Sequence, residues 1–282
     1  DQVDSLTGLV GLYYVALFVV IGALALAFWF DEPAMAADWV RAPVSALVAP
    51  ILIIGVTAAI YLTNFSGVAA DILYKVGLNY DTAGAWDRSI AVYGRALELQ
   101  PAQDFYALFL GRAYLESART QTDPAKRAAA LNASQQVLTE ARQINPLNTD
   151  HSANLARLQR TWATLVDDPA QKAAHLQQSI DYYQETMRLS PNTVYLRDEF
   201  AQAYLQNGEL DKARAQLEES LRQDPVYPPT FLSLGEYYRS QGDKAKAADN
   251  YLAAFALDPK ALSNPDNTLQ DGPLSVFTEP DI

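Results

Sequence analysis

Five prolines, Pro101, Pro146, Pro191, Pro225 and Pro259, stand 45, 45, 34 and 34 residues apart along the chain. Each closes a stretch rich in helix-forming residues: ALELQP, ARQINP, TMRLSP, SLRQDP and AFALDP. A proline just past a helix end stops the helix cleanly, because its ring has no amide hydrogen to donate and clashes with the preceding turn. Five such stops in register confine the chain to a row of similar helical units. A row of units buries apolar area between neighbours, not around one central core.

Upstream of the prolines a second pattern recurs. The first unit reads LYKVGLNYDTAGAWDRSIAVYGRALELQP, the fourth LRDEFAQAYLQNGELDKARAQLEESLRQDP and the fifth FLSLGEYYRSQGDKAKAADNYLAAFALDP. Small residues fall where two helices must approach, and glycines Gly84, Gly208 and Gly242 fall between the helices, where a left-handed turn is needed. The second and third units are eleven residues longer. Both carry the same internal start, DPAKRAAAL at Asp123 and DPAQKAAHL at Asp168, an aspartate cap followed by proline in the first helical position. The extra residues are therefore expected to lengthen the helices and their turn. Gly111, Tyr114 and Pro146 keep the pattern in the second unit, and Ala156 takes the small position in the third.

These units resemble the tetratricopeptide repeat (TPR), from about residue 70 to 260. The matching residues are Gly77, Tyr80, Gly84, Tyr93, Ala96 and Pro101 in the first unit. In the fifth they are Leu234, Gly235, Tyr238, Gly242, Ala247, Tyr251, Ala254 and Pro259. The resemblance implies a right-handed α-solenoid of about five helix pairs, with a concave groove lined by the first helices. Side chains expected to face a protein partner there are Tyr74, Leu78, Phe105, Leu108, Arg112, Arg157, Tyr195, Asp198, Gln202, Glu236 and Arg239.

The N-terminal quarter is different in kind. Residues 5–30 and 42–70 carry no charge. Leu9–Phe30 and Val44–Phe65 each hold enough residues, at about 1.5 Å rise, to cross a hydrocarbon layer of about 30 Å. Between them lies the polar connection DEPAMAADWVR, Asp31 to Arg41. The expected architecture is all-α: a transmembrane hairpin in residues 1–69, the solenoid in 70–262, and an extended tail in 263–282. Residues 5–30 and 43–66 are expected to meet a lipid bilayer or copies of themselves in a homo-oligomer. A signal peptide is disfavoured, because no basic segment precedes the first run and no cleavage site follows it. The loops hold too few bases to orient the hairpin. The tail, with three prolines and few apolar residues, has too little hydrophobic area to fold alone. Leu269, Leu274, Val276 and Phe277 suit it to docking on a solenoid, its own or a neighbour's.

Composition narrows the function. The net charge of −12, from 33 acids and 21 bases, disfavours nucleic-acid binding. With no cysteine there is no disulfide, zinc-thiolate site or thiol nucleophile. The two histidines, His151 and His175, have no metal-binding spacing, and no phosphate-binding glycine loop occurs. No catalytic residue, cofactor or metal is expected. Because the chain opens on Asp1, it is expected to be processed or part of something longer.

Spans running into ADILYKVGLNYDTAGAWDRSIAVYGRALEL also resemble the C-terminal part of bacterial O-antigen ligase or polymerase-like membrane proteins. In that family the catalytic loop lies between earlier spans, so no catalytic residue carries over. The expected function is a membrane-anchored scaffold of a bacterial cell envelope or polysaccharide assembly, its repeats outside the cytoplasm. Two other readings are a subunit of an extracellular filament with an apolar helical core, and the non-catalytic tail of a ligase.

Overall fold

In a computed structural model the described residues are Tyr14, Val15, Phe18, Val19, Gly22, residues 53–58 and residues 60–260, with the backbone alone at 62 and 63. All the regular structure among them is helical. Most of the two apolar runs, and with them the expected hairpin, lies outside the described residues, as does the tail 263–282. No helix among the described residues is long and apolar enough to cross a membrane.

A π-helical turn, Tyr61–Phe65, leads without a break into α1, Ser66–Thr82. The later helices are α2 (Trp86–Leu99), α3 (Asp104–Thr120), α4 (Pro124–Ile144), α5 (Thr149–Leu165), α6 (Pro169–Leu189), α7 (Val194–Gln206), α8 (Leu210–Gln223), α9 (Pro228–Ser240) and α10 (Lys244–Leu257). α1 packs with α2, α5 with α6, α7 with α8 and α9 with α10, in the order that the proline register predicts. The chain divides into two compact units, Asp1–Tyr114 and Leu115–Ile282.

The eleven extra residues of the second and third pairs are accounted for helix by helix. α3 and α5 have 17 residues where α7 has 13, and α4 and α6 have 21 where α8 has 14. Four and seven residues are close to one and two helical turns, so the added length keeps the buried face in phase. The turn itself stays at three residues, 121–123 and 166–168, the same as 207–209. The expectation of a longer turn is corrected on that point, because whole added turns leave the gap to be bridged unchanged.

The two lengths use two kinds of turn. In the short pairs Gly84, Gly208 and Gly242 have φ of 65°, 77° and 76°, and are the positive-φ residues among those described. The following amide then reaches back to a tyrosine carbonyl: Ala85 to Tyr80 (2.9 Å), Glu209 to Tyr204 (2.9 Å) and Asp243 to Tyr238 (3.0 Å). This satisfies carbonyls that the helix end would leave open. In the long pairs aspartate caps the second helix instead. Asp123 Oδ1 accepts from the amides of Ala125 (2.9 Å) and Lys126 (3.3 Å), and Asp168 Oδ1 from that of Ala170 (2.9 Å). Replacing Asp168 by alanine is expected to cost about 1 kcal/mol, and by asparagine about half of that or less. Urea midpoints of the three proteins check it, and equal midpoints would refute the cap's contribution.

Within a pair, contact is closest at the small position. A Cβ on Gly77 would lie 2.3 Å from Cε1 of Tyr93, and one on Gly235 would lie 2.2 Å from Cε1 of Tyr251. Both tyrosines are fully buried. Ala156 and Ala201 hold the same place opposite Tyr183 and Leu217, again fully buried.

Candidate protein-interaction surfaces

In the first unit, α1 and α3 bring aromatic rings together. Tyr74 of α1 meets Phe105 and Phe109 of α3 edge-on, with centroids 4.8 and 4.9 Å apart, and the two phenylalanines lie 4.8 Å from each other. The four-residue spacing of Phe105 and Phe109 puts both on one face of α3. Beneath them Tyr93 and Tyr106 are buried, their hydroxyls donating to Asp81 (2.8 Å) and Asp71 (2.6 Å). Burial, reinforced by those carboxylates, pushes both phenols above their ordinary range, so they stay neutral donors. Phe105 remains 42% exposed.

The Arg112 guanidinium lies 5.9 Å from the Phe109 ring centre, is exposed, and makes no ion pair with a described residue. The result is an open aromatic face with one unneutralised positive charge at its edge. Of the expected groove residues in this unit, Tyr74, Phe105 and Arg112 come together. Leu78 is half-buried, and Leu108 is buried in the packing. Phe109 was not among the expected residues, although its four-residue offset from Phe105 is the signal that finds it.

The second unit is built differently. Its first helices are α5, α7 and α9, and their polar residues join one another. Arg157 donates to both carboxylate oxygens of Glu199, at 2.7 and 2.9 Å, and Tyr183 donates to the same carboxylate at 3.0 Å. Arg160 donates to Gln202 Oε1 at 2.6 Å, and Gln202 Nε2 to the Ser233 hydroxyl at 3.3 Å. Thr230 donates to the buried Asp198 at 2.7 Å. Arg119 donates to Thr161 at 2.9 Å. Arg239 pairs with Glu236 at 2.7 Å, and Tyr251 donates to that carboxylate as well.

A forked guanidinium–carboxylate pair fixes geometry as well as charge. The charges expected to wait for a partner at Arg157, Glu236 and Arg239 are therefore engaged within the chain. Glu199 holds the Arg157 guanidinium charged even against burial, the largest influence on it. Asp198 is buried and is not on the surface. Tyr195 stands out, 44% exposed.

A family model described as the CadC C-terminal domain matches residues 127–278, just over half of the 282 residues. The chain belongs to that family. The match begins in α4 and takes in the later helices of the second unit. Among solved structures, TTC0263, a thermophilic TPR protein in Thermus thermophilus, aligns with a TM-score of 0.59 at 20% identity, covering 74% of this chain and 98% of that one. The fold is therefore that of TPR proteins. MamA protein aligns at 0.47 with 19% identity over 70% of this chain and 95% of its own. YrrB, described as a TPR protein with an unusual peptide-binding site, aligns at 0.46 with 19% identity over 73% and 95%. No curated protein matches the chain. Among the described residues no group of three or more His, Asp or Glu side chains is arranged to hold a metal ion.

Proposed function

We propose that the chain is a scaffold that binds a partner protein through the aromatic face of α1 and α3. The observation that carries this reading is Phe105, Tyr74 and Phe109 presented beside the unpaired Arg112. Aromatic side chains and arginine are the residue types that carry most binding energy at interfaces. The partner segment therefore has an apolar side chain to cover Phe105 and a carboxylate to meet Arg112. The chain brings the scaffold to a bacterial membrane through residues 5–30 and 43–66, with the repeats outside the cytoplasm, in an envelope or polysaccharide assembly.

Two features support the anchor. Val15, Val19, Ile53, Ile54 and Val56 are more than half exposed, an arrangement that water disfavours and lipid or a second copy relieves. Tyr14, from the first run, packs against Phe65 at the end of the second, with ring centres 5.2 Å apart. That pairing of a start with an end is what an antiparallel hairpin requires.

A photo-crosslinking residue placed at Phe105 in native membranes tests the binding face, with the exposed Arg95 position of α2 as control. The expected result is one crosslinked partner band at Phe105, reduced at least tenfold by Arg112→Glu, roughly a 1.4 kcal/mol effect. Equal labelling at both positions would overturn the site. Alkaline carbonate extraction tests the anchor separately. The chain is expected to stay with the membrane pellet, and release into the supernatant would sink that part of the reading.

A further inference from the structure

In the first, third and fourth pairs, the residue four positions after the buried centre of the second helix packs on the next pair; in the second it is Arg142, which pairs with Glu185 of α6. Leu97, four after Tyr93, packs with Tyr106 of α3. Met187, four after Tyr183, packs on the cluster holding Phe200 and Tyr204 of α7. Leu221, four after Leu217, packs with Tyr237 of α9. The corresponding residue of the last pair is Phe255, four after Tyr251, and it is 46% exposed. Leu252, one turn earlier on α10, is 55% exposed, and Leu257 is 43% exposed. At Phe255 the last helix thus carries an apolar side chain of the kind those pairs pack against their successor, with the exposed Leu252 beside it and no further repeat among the described residues to cover either. A repeat array normally ends on a polar face.

Beyond α10 and the turn at Lys260, the chain continues through residues 261–282. The match to the CadC C-terminal domain runs to residue 278, 18 residues beyond Lys260, so most of this segment belongs to the same domain as the helices before it. It contains Leu269, Leu274, Val276 and Phe277. Its reach is ample: α10, with 14 residues, is about 21 Å long, a distance that about seven extended residues cover. We propose that the segment from Leu269 to Phe277 folds back on the outer face of α10 of the same chain. There it covers Leu252 and Phe255 and serves as the cap of the solenoid. The occupant is the tail and not a second copy, because the tail starts at the end of that helix and its local concentration exceeds that of any free partner.

The chain has no cysteine, so introduced thiols report without background. Leu252→Cys is combined in turn with Leu269→Cys, Leu274→Cys and Phe277→Cys in the full chain and treated with a short bismaleimide. The control replaces Leu252→Cys with Gln184→Cys, at the exposed equivalent position two pairs earlier on α6. At least one tail position is expected to link to Leu252→Cys within one chain, at least fivefold more than to Gln184→Cys. Equal yields at the two helices overturn the proposal, and so do links found only between two chains. Hydrogen exchange gives an independent reading in the full chain carrying Val276→Asp and Phe277→Asp. Amides of α10 are expected to exchange at least tenfold faster while those of α6 stay unchanged. Unaltered exchange in α10 would also overturn it.

Discussion

Gly235→Ala is expected to destabilise the last helix pair by about 2 kcal/mol, although alanine is the better helix former by about 1 kcal/mol. The added Cβ would meet the Tyr251 ring at 2.2 Å from Cε1, 2.5 Å from Cδ1 and 2.8 Å from Cζ. Tyr251 is fully buried and its hydroxyl is bonded to Glu236, so the ring cannot step aside without losing that bond. The neighbouring pairs show what relief looks like. Where the small position is Ala201, the residue facing it is Leu217. Where Ala156 stands with a tyrosine, Tyr183 turns its hydroxyl to Glu199 of the next pair instead of to a carboxylate of its own pair. Tyr93 and Tyr251, each opposite a glycine, bond within their own pair, to Asp81 and Glu236.

The double variant Gly235→Ala, Tyr251→Leu reproduces the Ala201–Leu217 arrangement and is expected to recover stability relative to Gly235→Ala. Tyr251→Leu alone is expected to cost about 1–2 kcal/mol, through lost volume and a lost hydrogen bond. Thermal unfolding of the four proteins measures the cycle. Gly235→Ala should lower the midpoint by about 5 °C, and the coupling between the two changes should be at least about 1 kcal/mol. Strict additivity would mean that the glycine is not there to admit the tyrosine.

The number of pairs, their proline stops, the glycine turns and the aspartate caps were all legible in the sequence. They are local: a cap or a left-handed glycine depends on residues two or three apart, which a linear string displays directly. The surface was legible in part. Tyr74, Phe105 and Arg112 fall on one open face, as the helical period implies, whereas the polar residues of the second unit turned out to be bonded to one another. Four of those bonds obey a rule that was available. Arg119–Thr161, Arg157–Glu199 and Arg160–Gln202 are each 42 apart, and Gln202–Ser233 is 31 apart. The offsets are the repeat lengths of 45 and 34 shortened by three residues. Neighbouring first helices therefore meet with a slip of about one helical turn. Pairing residues at equal repeat positions misses this, because the slip is set by how the helices cross and not by any single residue.

Asp198→Asn is expected to raise stability at pH 7.5 by about 3 kcal/mol and to leave it unchanged at pH 4. Asp198 is 3% exposed on α7, and burial pushes its carboxyl up to about 6. The hydroxyls of Ser220 and Thr230 favour the charged form and the nearby Glu199 opposes it, but desolvation outweighs them. An aspartate in the unfolded chain titrates near 3.9. Below about pH 4 both states are protonated and the residue costs nothing. Between about 4 and 6 the folded chain holds the proton and the unfolded chain has released it, so stability falls as pH rises. Above about 6 both are ionised and the penalty is complete, about two pKa steps of 1.4 kcal/mol each.

Asparagine keeps an acceptor for the Thr230 hydroxyl, which now donates at 2.7 Å, and carries no charge at any pH. Other carboxylates of the chain contribute their own slopes. The informative quantity is therefore the difference between wild type and variant, not either curve. Guanidinium unfolding of both at pH 4, 5, 6 and 7.5 should give a difference that grows from near zero and levels off above pH 6. A difference that is constant across the range would place the Asp198 proton outside this window and remove the charge from the account of why α7, α8 and α9 pack as they do.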